Sequence, residues 1–146
     1  MEDRKQQVIV RKAKFEDLDR LCEIYSASFG PTEPMPRQWW KILEEPTNHY
    51  LVAEVDGRIM AVAVLITVSK ILRSGSRMGL IEDVATSPEA RGLGLGKLLI
   101  EELKQLAVEH GCYKVILNCS DHNIPFYEKC GFYQAENQMR WDRPKE

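Results

Sequence analysis

Apolar side chains recur along this chain in two rhythms, and the points where one gives way to the other divide it into elements. Val8, Ile9 and Val10 are a short β-forming run, so residues 7–11 are read as a first strand. From Phe15 onward, Leu18, Leu21, Cys22, Tyr25 and Phe29 recur at helical spacing and mark the expected buried face of a helix. Its first turn carries Glu16 and Asp17, where the dipole favours acids. Gly30, Pro31, Pro34 and Pro36 break the pattern, and a shorter helix over 37–43 presents Trp39 and Trp40 as a hydrophobic face. Residues 50–55 and Arg58–Val68 are strands joined at Asp56-Gly57, a two-residue hairpin signal. The second is apolar almost throughout, as a central strand covered on both faces would be.

Residues 69–77 form a polar, basic loop with Lys70, Arg73 and Arg77, and 79–86 a fourth strand stopped by Ser87-Pro88. Leu95, Leu99, Leu103, Leu106 and Ala107 draw an apolar stripe along a helix that ends at Gly111. A fifth strand is expected over 114–119. A short helix over 123–129 follows with Pro125 in its first turn, and two last strands over 132–135 and 138–141. The order βααβββαβαββ predicts an α+β (α/β three-layer) chain, a mixed sheet with helices on both faces. With no repeat or linker, residues 1–146 are expected to fold as one domain.

Composition narrows the function classes. A chain of 146 residues builds a core without disulfide or metal support. Lys plus Arg number 20 against 22 Asp plus Glu, a net charge of -2 that argues against a nucleic-acid partner but permits a local basic pocket. The longest apolar run, 59–65 extending to Val68, is too short to cross a bilayer, so no membrane partner is expected. Cys22, Cys112, Cys119 and Cys130 form no C-x-x-C pair and read as reduced thiols. His49, His110 and His122 lack metal-ligand spacing, so no metal is expected. The polar start at 1–7 reads as no signal peptide, and the tail Arg143-Pro144-Lys145-Glu146 as no organelle or lipid signal. The expected location is the cytoplasm.

The sharpest local signal is Arg91-Gly92-Leu93-Gly94-Leu95-Gly96-Lys97, set between a strand and an amphipathic helix. Glycines here free the backbone and clear the approach of a ligand, and a helix start offers unpaired N–H groups at the positive end of its dipole. Such a turn is a phosphate site, with Arg91 and Lys97 adding charge. A P-loop fails, because Arg91 stands where glycine is needed and Leu98 where Ser or Thr is needed. The dinucleotide fingerprint fails as well, since its glycines are spaced differently and follow a first strand. On this segment alone, a glycine-rich turn with no ligand stays open.

Arg91 to Gly96 resembles the Q/R-x-x-G-x-G/A acyl-CoA pyrophosphate motif of the GNAT N-acetyltransferase superfamily, and the element order is similar across nearly the whole chain. More specifically, four stretches resemble the eukaryotic glucosamine-6-phosphate N-acetyltransferases. They are Ile81-Glu82-Asp83-Val84-Ala85, Gly94-Leu95-Gly96-Lys97-Leu98-Leu99-Ile100, Gly111-Cys112-Tyr113-Lys114 and Phe126-Tyr127-Glu128-Lys129-Cys130-Gly131-Phe132. The resemblance is dense from Gly79 to Met139 and weak before Ser69. It implies the acyl-CoA N-acyltransferase fold, with a mostly antiparallel sheet, and transfer of acetyl from acetyl-CoA to the 2-amino group of glucosamine 6-phosphate.

Carried over by that resemblance, Val84, Ala85 and Thr86 pair by backbone with pantetheine, and Arg91, Gly92, Leu93, Gly94, Leu95, Gly96 and Lys97 hold the pyrophosphate. Asn123 and Tyr127 also contact the cofactor. Tyr127 lies beside the CoA sulfur, where a phenol that is protonated at neutral pH can stabilise a leaving thiolate. From its residues alone, Tyr127 reads equally as a core tyrosine among Phe126, Phe132 and Tyr133. Glu82 and Asp83 are expected on opposite faces of their strand and contact the sugar, with a strand-end salt bridge as the alternative. Lys70, Ile71, Leu72 and Arg73 match the substrate loop, Tyr113 and Lys114 match contacts from the second subunit of a homodimer, and Arg143 caps the phosphate.

One position departs from the family pattern. Asn118 stands where the family carries a carboxylate; it accepts a hydrogen bond but cannot take a proton. Water, the Cys119–Ser120 backbone, Asp121 or an amine arriving neutral must fill that role. Two other readings are weighed: a same-fold acetyltransferase acting on a protein amine or polyamine, for which the basic loop is a poor fit, and a non-catalytic acyl-CoA-binding protein.

Overall fold

Five strands form one sheet in chain order: β1 (Val8–Lys12), β2 (Asn48–Val55), β3 (Arg58–Val68), β4 (Arg77–Thr86) and β5 (Cys112–Ile116). Neighbours from β1 to β4 run antiparallel, and only β4–β5 is parallel. Helices α1 (Leu18–Phe29), α2 (Pro36–Glu44), α3 (Leu72–Gly75), α4 (Leu95–Glu109) and α5 (Ile124–Lys129) complete the chain. The computed structural model describes residues 5–145; residues 1–4 and Glu146, on which the readings of the two chain ends partly rest, lie outside the described residues.

The β2–β3 turn forms because Asp56 and Gly57 both take positive φ, 50° and 84°, the twist that returns a strand upon itself. Alternation along β3 divides its apolar side chains between two cores. Ala61, Ala63 and Leu65 join Leu51, Ala53 and Ile81 under the α4 stripe of Leu95, Leu99, Ile100 and Leu103. Ile59 and Val62 join Val52 and Ala85 under Leu21, Ile24 and Trp39 of α1 and α2. Each fully buried leucine or isoleucine of α4 contributes roughly 1.5–3 kcal/mol. The result is three layers, α1 and α2 on one face of the sheet and α4 on the other. Among the described residues, no helix is long and apolar enough to cross a membrane.

Several expectations need correction. Phe29 closes α1 but is 61% exposed, and Ile24 takes the buried position instead. Trp39 is buried and donates its indole N–H to the Phe15 carbonyl at 3.2 Å, whereas Trp40, a third of a turn further round, faces outward. β5 begins earlier than expected and stops at Ile116, because Gly111 at φ 74° turns the chain straight from α4 into the strand. The strands expected over 132–135 and 138–141 do not form among the described residues. Their alternating pattern needs a neighbouring strand, and without one Tyr133, Met139 and Trp141 stand 82%, 91% and 79% exposed.

Candidate active site

The parallel ladder between β4 and β5 runs from Arg77–Cys112 to Leu80–Ile116 and then stops. Past that point β4 continues to Thr86 while β5 has ended, so the edge of β4 facing β5 has no strand beside it. A bulge sharpens the bend. Val64 pairs with Glu82 and Val62 with Ala85, so Ala63 faces both Asp83 and Val84, and Asp83 takes φ 51°. An open strand edge of this kind is where an extended, amide-bearing ligand adds as a further strand. Val84, Ala85 and Thr86, singled out from sequence, supply that edge. Val84 leans into the α4 core and Ala85 into the opposite one.

The edge leads to the glycine turn. A short helical turn over Pro88–Ala90 precedes Arg91, and Gly92 and Gly94 take φ 87° and 78°. A methyl group added at either would meet nothing within 4 Å, so the space above them is open. Gly94 is the N-cap of α4 and brings no side-chain cap, leaving the first N–H groups of a fifteen-residue helix free for an anion. Gly96 works differently. A Cβ there would lie 3.3 Å from the Phe126 ring, so its bareness lets α5 dock on the start of α4. Arg91, Leu93 and Lys97 flank this opening; Leu95 is buried beneath it.

Docking of α5 places Tyr127 beside the opening. Its ring packs edge-on against Phe126 at 4.9 Å and Phe132 at 6.1 Å. Burial pushes its phenol up from the ordinary value, with Cys119 and Cys130 adding to the effect, so it stays protonated at neutral pH. Asn123 caps α5 and donates to Ser120 Oγ at 3.2 Å, and Asn118 lies exposed beyond the end of β5.

Glu82 and Asp83 are not split between the two faces as simple alternation predicts. Ile81 and Val84 both lean into the α4 core, so the extra residue of the bulge is absorbed between them. Glu82 therefore faces the α1–α2 side, and the Asp83 charge acts on Glu82 and also on Tyr25 and Tyr50 of that side. Burial, then the Asp83 charge, pushes the Glu82 carboxyl up, which makes it a better proton acceptor.

A third group of residues surrounds Tyr113. Lys70 Nζ donates to its hydroxyl at 2.8 Å, and Arg73 and Lys114 lie 4.8 Å and 5.6 Å from its ring centre. The Lys70 hydrogen bond and these cations pull the Tyr113 phenol down. Arg73 and Ser74 hold left-handed backbone angles, φ 56° and 59°, a conformation that non-glycine residues keep only under constraint. Ile71 and Leu72 project into solvent beside them. The loop and strand contacts that sequence matching divided between two subunits thus share one cationic cluster in one chain. Arg143 is exposed on the tail, and no hydrogen bond or ion pair ties it to that cluster.

Sequence reasoning missed Tyr25 as a polar residue. It sits on the buried face of α1, yet its hydroxyl is buried without a hydrogen-bond partner. A tyrosine where phenylalanine would pack equally well was the available signal.

The chain matches the family model described as acetyltransferase (GNAT) family over residues 16–132. It is 50% identical over 86 residues to a glucosamine 6-phosphate N-acetyltransferase of Trypanosoma brucei brucei, covering 59% of this chain and 58% of that protein. A glucosamine 6-phosphate N-acetyltransferase of Arabidopsis thaliana is 43% identical over 110 residues, 73% of this chain and 74% of its own length. The crystal structure of glucosamine-6-phosphate N-acetyltransferase from Arabidopsis thaliana superposes with a TM-score of 0.85 at 31% identity, covering 93% of this chain and 98% of that one.

Proposed function

The chain belongs to the GNAT acetyltransferase family, and on that premise we propose that it transfers acetyl from acetyl-CoA to the 2-amino group of glucosamine 6-phosphate. The products are N-acetylglucosamine 6-phosphate and CoA. The observation that carries this reading is the open β4 edge leading directly to the uncapped, glycine-cleared start of α4, beside Tyr127. The cationic cluster at Tyr113 suits a phosphorylated acceptor, and the names of the trypanosomal and Arabidopsis relatives point the same way.

Acetyl-CoA supplies an already activated thioester. The free N–H groups at Leu95, Gly96 and Lys97 hold its pyrophosphate, and the Val84–Thr86 edge pairs with its pantetheine. A backbone N–H near Val84 polarises the carbonyl where negative charge develops. Glu82 and Asp83, on the acceptor side, orient the amine and draw its proton, with Asn118 able only to accept a hydrogen bond. Tyr127, kept protonated by burial, donates to the departing thiolate. Holding both reactants together removes the entropy of a bimolecular encounter, so no covalent enzyme intermediate is needed.

We further propose a homodimer in which the cationic cluster of one subunit completes the phosphate site of the other. The exposed tail residues Tyr133, Met139 and Trp141, with their strand-like alternation, suit pairing with a second copy. The reaction then belongs to the cytoplasmic route toward UDP-N-acetylglucosamine. Thiol release from acetyl-CoA, with glucosamine 6-phosphate, glucosamine and a lysine peptide as parallel acceptors, tests the reading. Release with the phosphorylated sugar is expected. Release with the peptide alone would overturn the substrate, and tight acetyl-CoA binding with no release would favour a non-catalytic protein.

A further inference from the structure

We propose that Tyr25 is a positioning residue: its buried hydroxyl donates a hydrogen bond that holds the Asp83 carboxylate where the acceptor amine meets it. The starting point is the unpartnered hydroxyl. Tyr25 packs its ring against Phe29, at 5.9 Å, and against the core under α1, contacts that phenylalanine would make equally well. The oxygen is out of reach of solvent and pairs with nothing, so it weakens the fold. A polar group retained at such a place serves a contact made in another state of the site.

The geometry names the partner. α1 packs across β3 and β4, over the bulge where Asp83 departs from regular strand geometry. Asp83 is exposed and left-handed, so its carboxylate is free to turn. It is the carboxylate whose charge reaches both Tyr25 and Tyr50; Cys22 is the other titratable group facing Tyr25. Tyr50 is fixed edge-on against Trp39 at 5.1 Å. A cavity of about 120 Å³ lies against both tyrosines, so close packing does not lock them on that side. With Asn118 unable to take a proton, the orientation of the Glu82–Asp83 pair decides how well the amine is received. Tyr25 acts through Asp83 and need not touch the acceptor.

The catalytic half of the test rests on the proposed acetyl transfer; the contact itself is read without substrate. Tyr25→Phe is expected to keep or raise the melting temperature and to leave acetyl-CoA affinity unchanged. Its kcat/KM for glucosamine 6-phosphate should fall about 10- to 100-fold, the range of one hydrogen bond to a charged group. The double variant Tyr25→Phe/Asp83→Asn should lose no more than Asp83→Asn alone. A 13C NMR titration of the Asp83 carboxyl should show a higher midpoint in Tyr25→Phe than in the parent chain. If the parent turns over this sugar and Tyr25→Phe stays within twofold, or the two losses multiply, the inference fails while the function stands. If the parent releases no CoA with this sugar, the function fails and the titration decides: equal Asp83 midpoints overturn the inference, and a raised midpoint in Tyr25→Phe upholds it.

Discussion

Replacing Gly94 by alanine separates the cost of a strained backbone from the cost of blocking a ligand. Gly94 has φ 78° and open space above it, and Gly111, past the end of α4, has φ 74° and equally open space. A left-handed alanine costs about 1–2 kcal/mol at either place. Unfolding entropy of about 2.1 cal/mol/K per residue gives about 0.3 kcal/mol/K for 146 residues, so both variants should melt about 3–6 °C lower. Their ligand binding should diverge. At Gly94 the new methyl stands before the free N–H groups of α4, and losing one charge-assisted hydrogen bond of about 1.5–3 kcal/mol weakens acetyl-CoA binding about 10- to 150-fold. Gly111→Ala should bind acetyl-CoA as the parent does. Differential scanning fluorimetry and isothermal titration calorimetry on the three chains give both quantities. Equal acetyl-CoA affinity in Gly94→Ala and Gly111→Ala would refute the pyrophosphate assignment.

Tyr127→Phe should lower turnover by about 10²–10⁴ with little change in acetyl-CoA affinity, and Asn118→Ala should lower it less. Steady-state kinetics check this, and the reverse order would give Asn118 the larger role. His49 lies 4.3 Å from His110, ring centre to ring centre, with its buried Nε2 unpartnered. Burial, then His110, Lys12 and Arg77, depress its pKa. The unfolded chain therefore takes up that proton first, so the His49 contribution to stability is complete above about pH 6.5 and is lost as pH falls through the lower folded value. His110→Gln removes one opposing charge and should shrink the drop in melting temperature between about pH 7.5 and 5.5, where an unchanged drop would count against the coupling. Gly79→Ala puts a methyl 2.9 Å from Leu65 Cδ1 and 3.2 Å from Val115 Cγ2. Overpacking of about 1–3 kcal/mol should lower its melting temperature by about 3–10 °C, and an unmoved melt would mean that the β4–β5 contact yields easily.

The elements legible in the sequence were those whose signals are local. Asp56-Gly57 predicts its own hairpin, and the Leu95–Leu99–Leu103 stripe predicts which face of α4 is buried, because both are properties of a few neighbouring residues. The glycine turn was legible for the same reason, and family resemblance supplied what it binds. Features decided by distant chain were not. Nothing in Ile81-Glu82-Asp83-Val84 announces the bulge, which arises where β3 and β4 fall out of step, and the expected opposite facing of the two acids failed with it. Phe29 has the spacing of a core residue but lies at the last turn of α1, beyond the sheet it would cover. The tail alternates like a strand, yet a strand exists only where another accepts its hydrogen bonds. The four residues around Tyr113 come from a loop and a strand far apart in the chain, so their union could be read only from the fold.

The central claim is that the acetyl carbon leaves sulfur for the sugar nitrogen. Acetyl-CoA labelled with 13C at the carbonyl, incubated with 15N-labelled glucosamine 6-phosphate and the protein, tests this by NMR without inference from rates. The account predicts a product whose carbonyl signal is split by one-bond coupling to 15N, at the same pace as CoA release. Label that stays in the thioester, appears as free acetate, or enters an ester without nitrogen coupling would contradict it.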